Sequence, residues 1–361
     1  MIVEKQVFEL ASYETENGAT LRDVRVGWES YGRLNADRSN AVLVTHYFSG
    51  TSHAAGRYAE DDPLPGYWDS IIGPGKAIDT DRWFVLSSDT LVNLNANDPR
   101  VVTTGPASLD PATGEPYGLT FPVVSIRDFV RVQKALLDHL GIRRLHAIAG
   151  PSMGALQAYE WAVSYPEMVG RIIPVIGAAG GDPFLIAWVE AWGRPIRLDP
   201  HWNGGDYYGH TPPLAGIAAA LELVTLQANQ GAWARAAYGR SPAEPGRDPA
   251  AALANAFKVV GAIEDLAAAR AHLVDANTFL YLVRANQLAG ADATKIKAPT
   301  LIVYEPTDLV FPPDWIERTA AAIRGDGTPV ETFALNGPNG HLNGVLYVAQ
   351  AADAIRRFLE G

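Results

Sequence analysis

The sequence predicts an α/β fold: a mostly parallel central sheet with helices on both faces and an inserted helical lid. Three observations predict it. The runs Ala41-Val42-Leu43-Val44-Thr45, Trp83-Phe84-Val85-Leu86-Ser87 and Leu145-His146-Ala147-Ile148-Ala149 are apolar along their length rather than alternating, as strands buried on both faces of a parallel sheet require. Between the last two, Phe129, Val130, Val132, Ala135, Leu136 and Leu140 recur at helical spacing, which makes the segment a βαβ unit. From about 181 to 290 strand patterns disappear and Ala-rich helical stretches replace them.

Residues 1–40 hold short alternating segments, such as Arg22-Asp23-Val24-Arg25-Val26-Gly27-Trp28, that read as antiparallel strands leading into the core. The strand 41–45 ends in a Gly-rich loop, and the helix Ile126 to Leu140 is stopped by Gly141. After the strand 145–149 a helical stretch runs from Ala155 through Trp161. Further strands are expected at 171–176, 300–304 and 330–333, and Val345 to Leu359 reads as a closing helix. Lid helices are expected at 184–192, 213–230, 250–271 and 275–289, with a turn-rich loop from Ser241 to Arg247 among them. The resulting division is a core domain over residues 1–180 and 291–361 and a helical lid subdomain over 181–290. No internal repeat, coiled-coil heptad or low-complexity tract interrupts it.

A chain of 361 residues is long enough to enclose a site, burying roughly three quarters of its unfolded surface. With 29 Lys and Arg against 40 Asp and Glu, the net charge of −11 repels phosphate backbones and anionic lipid, so the expected partners are small molecules, not nucleic acid or a membrane. The absence of cysteine excludes disulfides, thiolate metal sites and a cysteine nucleophile. The first residues carry Glu4 and Lys5 and no apolar h-region, and no apolar run reaches the ~18 residues of a spanning helix. A soluble, cytoplasmic protein is the expectation. Nine Trp and 14 Tyr supply large apolar faces with polar tips, suited to lining a cavity.

Gly150-Pro151-Ser152-Met153-Gly154 fits G-x-S-x-G between a strand and a helix, the context in which small residues on either side let the chain turn sharply and lift a serine Oγ above the sheet edge. A serine hydroxyl is a weak nucleophile until a base takes its proton, and that base needs a carboxylate to orient it. The expected chain order is Ser, Asp, His. Downstream of the strand 300–304, Asp308 is the expected carboxylate, with Glu305 the alternative. Of eight histidines only His341, on the Gly-rich stretch Asn336-Gly337-Pro338-Asn339-Gly340, lies where that order requires. An oxyanion hole needs two backbone N–H groups, one expected from Met153 and the other from Phe48 in the loop His46 to His53. His46 and His53 lack a nearby third ligand, so no metal site is expected. His139 and His146 are assigned to regular elements, and His201, His210 and His272 to the lid.

With these residues assembled, the chain resembles the homoserine O-acetyltransferase family of α/β-hydrolase-fold enzymes. The resemblance runs through most of the chain. It includes His46-x-x-x-Gly50-x-Ser52-His53, Ile72 to Arg82, Gly105-Pro106-Ala107-Ser108, Pro111 to Gly118, the elbow with Gln157 and Trp161 behind it, and Trp202-Asn203-Gly204-Gly205-Asp206-Tyr207-Tyr208. It implies an acyl-Ser152 intermediate, a triad with Asp308 and His341, a helical lid over the site and a homodimer formed largely through lid helices. The departures fall where such enzymes would hold homoserine, whose carboxylate and ammonium both need charged partners. An arginine and a tyrosine of the lid helix are replaced by Ala219 and Leu226, and an aspartate after the catalytic histidine by Leu342. A Gly- and Cys-containing stretch is replaced by Leu91 to Asp98. Ala219, Leu226, Leu342 and Tyr47 are the expected substrate-pocket residues, and their apolar bias argues for a less polar substrate. Hydrolysis of such an ester is the leading expectation, with no cofactor. The alternative is acyl transfer to a small alcohol, with acyl-CoA as co-substrate. A retired fold serving as a binding module is disfavoured by the intact Ser152, Asp308 and His341.

Overall fold

The computed structural model describes residues 1–325 and 327–361. In chain order the strands are β1 (Gln6–Glu14), β2 (Thr20–Tyr31), β3 (Ala41–Val44), β4 (Ile72–Gly73), β5 (Ile78–Asp79), β6 (Phe84–Ser88), β7 (Ala147–Pro151), β8 (Ile172–Val175), β9 (Thr300–Tyr304) and β10 (Val330–Ala334). Eight of them form one sheet in the order β1-β2-β6-β3-β7-β8-β9-β10, and β4 pairs with β5 apart from it. The β1–β2 hairpin and the β2–β6 pair are antiparallel; every other pair of the sheet is parallel.

Strands β3, β6, β7 and β8 are buried at every position, which is why they read as apolar runs without alternation. Their side chains still alternate between faces. Leu43, Leu86, Ile148 and Ile302 pack into one apolar cluster, while Val42, Val44, Val85, Ala147, Ile173 and Val303 pack into another, so the sheet separates two cores.

Helix α1 (Ile126–His139) begins with a reciprocal cap between Ser125 and Asp128, and α2 (Met153–Ser164) follows β7 directly. Between β8 and β9 lie five helices and no named strand: α3 (Pro183–Leu198), α4 (Leu214–Ala228), α5 (Gly231–Ala237), α6 (Lys258–Ala271) and α7 (Ala276–Gln287). The Tyr207 and Tyr208 hydroxyls donate to the Asp275 carboxylate, which also caps α7 by accepting from the Thr278 amide at 2.8 Å. The Trp202–Tyr208 block therefore anchors the start of α7. The chain closes with α8 (Pro313–Arg324), α9 (Asn343–Leu346) and α10 (Ala352–Glu360).

Four expectations need correction. The strand expected at 145–149 starts at Ala147, and His146 sits in a bend, stacked on Trp83 with ring centroids 3.9 Å apart. The helix expected over 250–271 begins only at Lys258, because the preceding residues are held in turns by a bridge between Pro242 and Phe257, the Ala243 amide donating to the Ala256 carbonyl at 2.9 Å, and Asn255 Nδ2 donating to the Asp248 carbonyl at 2.8 Å. Helix α5 was not anticipated. The single closing helix is broken at Tyr347, where a mutual tie between the Gln350 amide and the Asn336 backbone pulls the chain out of register.

Behind β2 lies a buried polar cluster with a measurable consequence. Lys5 Nζ stands 3.0 Å from Glu29 Oε1 and 3.4 Å from Asp89 Oδ2, and both carboxylates are fully buried. Burial alone raises the Glu29 pKa, but the hydrogen bond to His53, the Lys5 charge and the Tyr58 hydroxyl outweigh it and hold the carboxyl down at about 2. A depressed folded-state pKa means that the unfolded chain binds the proton more readily. The cluster's contribution, on the order of 3 kcal/mol, is present above the ordinary glutamate range and is lost as pH falls toward 2. Chemical unfolding at stepped pH is expected to lose stability across that window, and Glu29→Gln is expected to flatten the slope there. An unchanged slope in the mutant would remove Glu29 from the acid response.

Candidate active site

The elbow is built by strain and by close approach. Ser152 lies between β7 and α2 at φ 58°, ψ −118°, a conformation that costs a non-glycine residue of order 1–3 kcal/mol and persists only where the surroundings enforce it. A Cβ on Gly150 would lie 2.1 Å from Thr45 Oγ1, and one on Gly154 would lie 2.2 Å from the Thr45 carbonyl oxygen. Those contacts explain both glycines. Thr45 also donates its hydroxyl to the Gly154 carbonyl at 2.8 Å, tying the end of β3 to the start of α2.

Asp308 follows β9, and His341 lies in a short turn, Gly340–Leu342, beyond β10. His341 Nε2 is 2.8 Å from Ser152 Oγ, and His341 Nδ1 is 2.7 Å from Asp308 Oδ2. The other carboxylate oxygen of Asp308 accepts from the Val310 and Phe311 amides at 2.7 and 2.9 Å, and the Phe311 ring stacks on the imidazole at 5.9 Å. All three side chains are buried. Glu305 instead accepts from the amide and hydroxyl of Thr307 at 2.8 and 2.7 Å, capping its own loop. The structure thus joins Ser152, His341 and Asp308 in one hydrogen-bonded line and leaves the alternative carboxylate outside it.

Among the described residues, neither the Phe48 nor the Met153 backbone N–H has a protein acceptor. Met153 opens α2, so its N–H is one of the free donors of a helix N-terminus. The Phe48 ring meets Trp192 of α3 and Phe279 of α7 edge-on, each at 5.4 Å. Two residues noted in the sequence but given no role in the site hold the backbone around the Phe48 N–H: His46 acts on the peptide that carries it and Gln157 on the one before. His46 Nδ1 donates to the Tyr47 carbonyl at 2.8 Å, which also accepts from the Gly50 amide at 2.9 Å. Burial pushes the His46 imidazole down, so it is neutral, and its Nε2 faces Thr90 Oγ1 and Asn93 Nδ2, each at 3.3 Å. Gln157 Nε2 donates to the His46 and Met153 carbonyls at 3.2 and 3.3 Å, and its Oε1 accepts from Gln133 at 2.7 Å. The signal was present in the His46–His53 and Gln157 blocks, but a carbonyl acceptor has no sequence signature.

His53 belongs to the Glu29 cluster, at 3.0 Å from Glu29 Oε2, so the two histidines of this loop do separate work. Among the described residues no group of three or more His, Asp or Glu side chains is placed to hold a metal. Nor is any helix long and apolar enough to cross a membrane. Of the expected pocket residues, Leu342 is partly buried beside His341, and the Gly340–Leu342 turn rests against α4. Ala219 is half-buried on that helix, whereas Leu226 is 52% exposed, which puts it at the rim of any pocket rather than in its wall. Tyr47 packs edge-on against Tyr67 at 5.3 Å, and burial pushes its phenol up.

Fold and site define an α/β hydrolase, and the family model described as alpha/beta hydrolase fold matches residues 98–343. The chain is 40% identical to the homoserine O-acetyltransferase of Symbiobacterium thermophilum, over 96% of this chain and 91% of that one. Among solved structures, esterase E22 is 48% identical with a TM-score of 0.95, covering 99% of this chain and all of that one. The homoserine O-acetyltransferase of Bacillus anthracis is 36% identical, also with a TM-score of 0.95, over 100% of this chain and 98% of that one. The chain belongs to the homoserine O-acetyltransferase-like family of α/β-hydrolase-fold enzymes.

Proposed function

We propose that this protein moves an acyl group through an ester on Ser152, with His341 as the base and Asp308 orienting it. The observation that carries the reading is the hydrogen-bonded line from Asp308 through His341 to Ser152 at a strained elbow. His341 takes the Oγ proton as Oγ attacks the acyl carbonyl, and the Phe48 and Met153 N–H groups receive the charge that develops on the carbonyl oxygen. The imidazolium then returns the proton to the leaving thiol or alcohol. A second acceptor repeats the sequence in reverse. The curated relatives, named homoserine O-acetyltransferases, support transfer of the acyl group to a small alcohol, and on this reading acyl-CoA is the co-substrate. The scheme uses no resident cofactor, and the partners it implies are small molecules. Phe184, Leu198, Leu214 and Leu226 leave apolar side chains exposed on α3 and α4, which supports treating residues 181–290 as a lid that also forms a homodimer.

A second reading, hydrolysis of an ester less polar than a homoserine derivative, is favoured by one observation. Ala219, Leu226 and Leu342 offer no counter-charge to either end of homoserine, and burying an unpaired charge costs several kcal/mol. Esterase E22, by its name, fits the same reading. Sequence alone ranks hydrolysis first, and the curated relatives move transfer ahead of it. Feeding the enzyme acetyl-CoA or p-nitrophenyl acetate, with and without alcohols, and following free acid and acylated product separates the two. Product that shifts toward the new ester as an uncharged alcohol is added supports transfer; a distribution unmoved by any alcohol supports hydrolysis. Homoserine is expected to be a poor acceptor, and Ala219→Arg, Leu226→Tyr and Leu342→Asp together are expected to raise its use. Efficient acetylation of homoserine by the unmodified protein would overturn the assignment of these three residues to the acceptor side.

A further inference from the structure

We propose that the C-terminal turn of α4 is a clamp on the triad, with Gln227 and Asn229 as positioning residues that hold the Asp308 and His341 loops in register. The proposal rests on the Ser152–His341–Asp308 reading above. Asp308 and His341 sit in separate loops after β9 and β10, yet their side chains meet at 2.7 Å. The paired strands β9 and β10 locate the starts of both loops, but the loops beyond them must also be held, since displacements of about 1 Å in a catalytic constellation cost on the order of 100-fold in rate.

One turn of one lid helix touches both. Gln227 Nε2 donates to the Leu309 carbonyl at 3.2 Å, one residue after Asp308. Asn229 Oδ1 accepts from Asn339 Nδ2 at 3.0 Å, two residues before His341, and Asn229 Nδ2 donates to the Thr225 carbonyl at 3.0 Å, which fastens it to its own helix. Gly340, at φ 57°, lies so close to the residue after Asn229 that a Cβ on it would come within 3.2 Å of Gln230 Cβ. On the core side the Asn339 amide donates to Asn343 Oδ1 at 3.1 Å, so Asn339 is held between the lid and the core.

Gln227, Asn229 and Asn339 are all buried. Gln227 Oε1 has no hydrogen-bond partner among the described residues. What the residue retains is its hold on the loop beside Asp308. Helix α4 also carries Ala219, half-buried, and Leu226, exposed at its rim.

The test compares Asn229→Ala, Asn229→Asp, Asn339→Ala and the Asn229→Ala/Asn339→Ala pair on p-nitrophenyl acetate, with melting temperature and fluorophosphonate labelling rate measured alongside. Asn229→Ala is expected to lower kcat and the labelling rate by about 10- to 100-fold while KM and melting temperature stay close to wild type. Asn229→Asp keeps the acceptor for Asn339, so it is expected to recover most of kcat. Its added negative charge near the imidazole favours the protonated base and should move the acid limb of kcat/KM to higher pH. The double mutant is expected to be no worse than the poorer single mutant, the mark of one shared interaction. Wild-type kcat and labelling in Asn229→Ala, or a loss that tracks melting temperature and is not recovered by Asn229→Asp, would overturn the clamp while leaving the triad standing. A wild-type protein inert to the fluorophosphonate would overturn both.

Discussion

Ser152→Ala is expected to abolish covalent capture by a fluorophosphonate and to lower turnover of p-nitrophenyl acetate by about 10⁶-fold, the scale seen when a triad loses its nucleophile. The residual rate would reflect binding and the Phe48 and Met153 donors alone. The substitution removes one oxygen and keeps the Cβ, so the strained φ of 58° is neither relieved nor worsened and the melting temperature should hold. Turnover near wild type in a folded Ser152→Ala protein would end the acyl-serine reading. Loss of activity together with loss of fold would instead be settled by Ser152→Cys, which should still react with a thiol-directed probe at the same position.

Asp308→Asn is expected to cost about 10⁴-fold in turnover with little change in stability. The sign follows from the contacts. Oδ1 of residue 308 accepts from the Val310 and Phe311 amides, so an asparagine must keep its carbonyl oxygen there and turn its NH₂ toward His341. The imidazole must then accept at Nδ1, which places the ring proton on Nε2, facing Ser152 Oγ. A nitrogen that already carries its proton cannot take another from the hydroxyl. Glu305→Gln should leave turnover within a few-fold of wild type, because that carboxylate is bonded to Thr307 and not to the imidazole. The reverse pattern would hand the orienting role to Glu305.

The hydrogen-bonded line Asp308–His341–Ser152 was legible in the sequence because each member depends on local chemistry that leaves a trace. The elbow needs small residues two before and two after the serine, and the collision distances at Gly150 and Gly154 show why. Asp308 and His341 follow strands in the order the fold demands. Their company was not legible. His46 and Gln157 act on backbone carbonyls, and Asn229 acts on another asparagine 110 residues away, so no spacing announces them. Secondary structure failed for a related reason. The closing helix looks continuous in its apolar pattern, but a pair of hydrogen bonds between Gln350 and Asn336 breaks it at Tyr347.

By itself the sequence determined the sheet's buried strands, the βαβ unit and the strained turn, and it singled out Ser152, His341 and, with Glu305 as alternative, Asp308, because burial on both faces and backbone strain restrict residue type position by position. Tertiary structure alone decided between Asp308 and Glu305 as the carboxylate that faces the imidazole, which carbonyls His46 and Gln157 hold, and how the end of α4 reaches both the Asp308 and the His341 loops. Except for the His46 contact, those are relations between segments tens to hundreds of residues apart. Their energy lies in hydrogen bonds of a few tenths of an ångström tolerance, made mostly to backbone atoms that every residue carries alike.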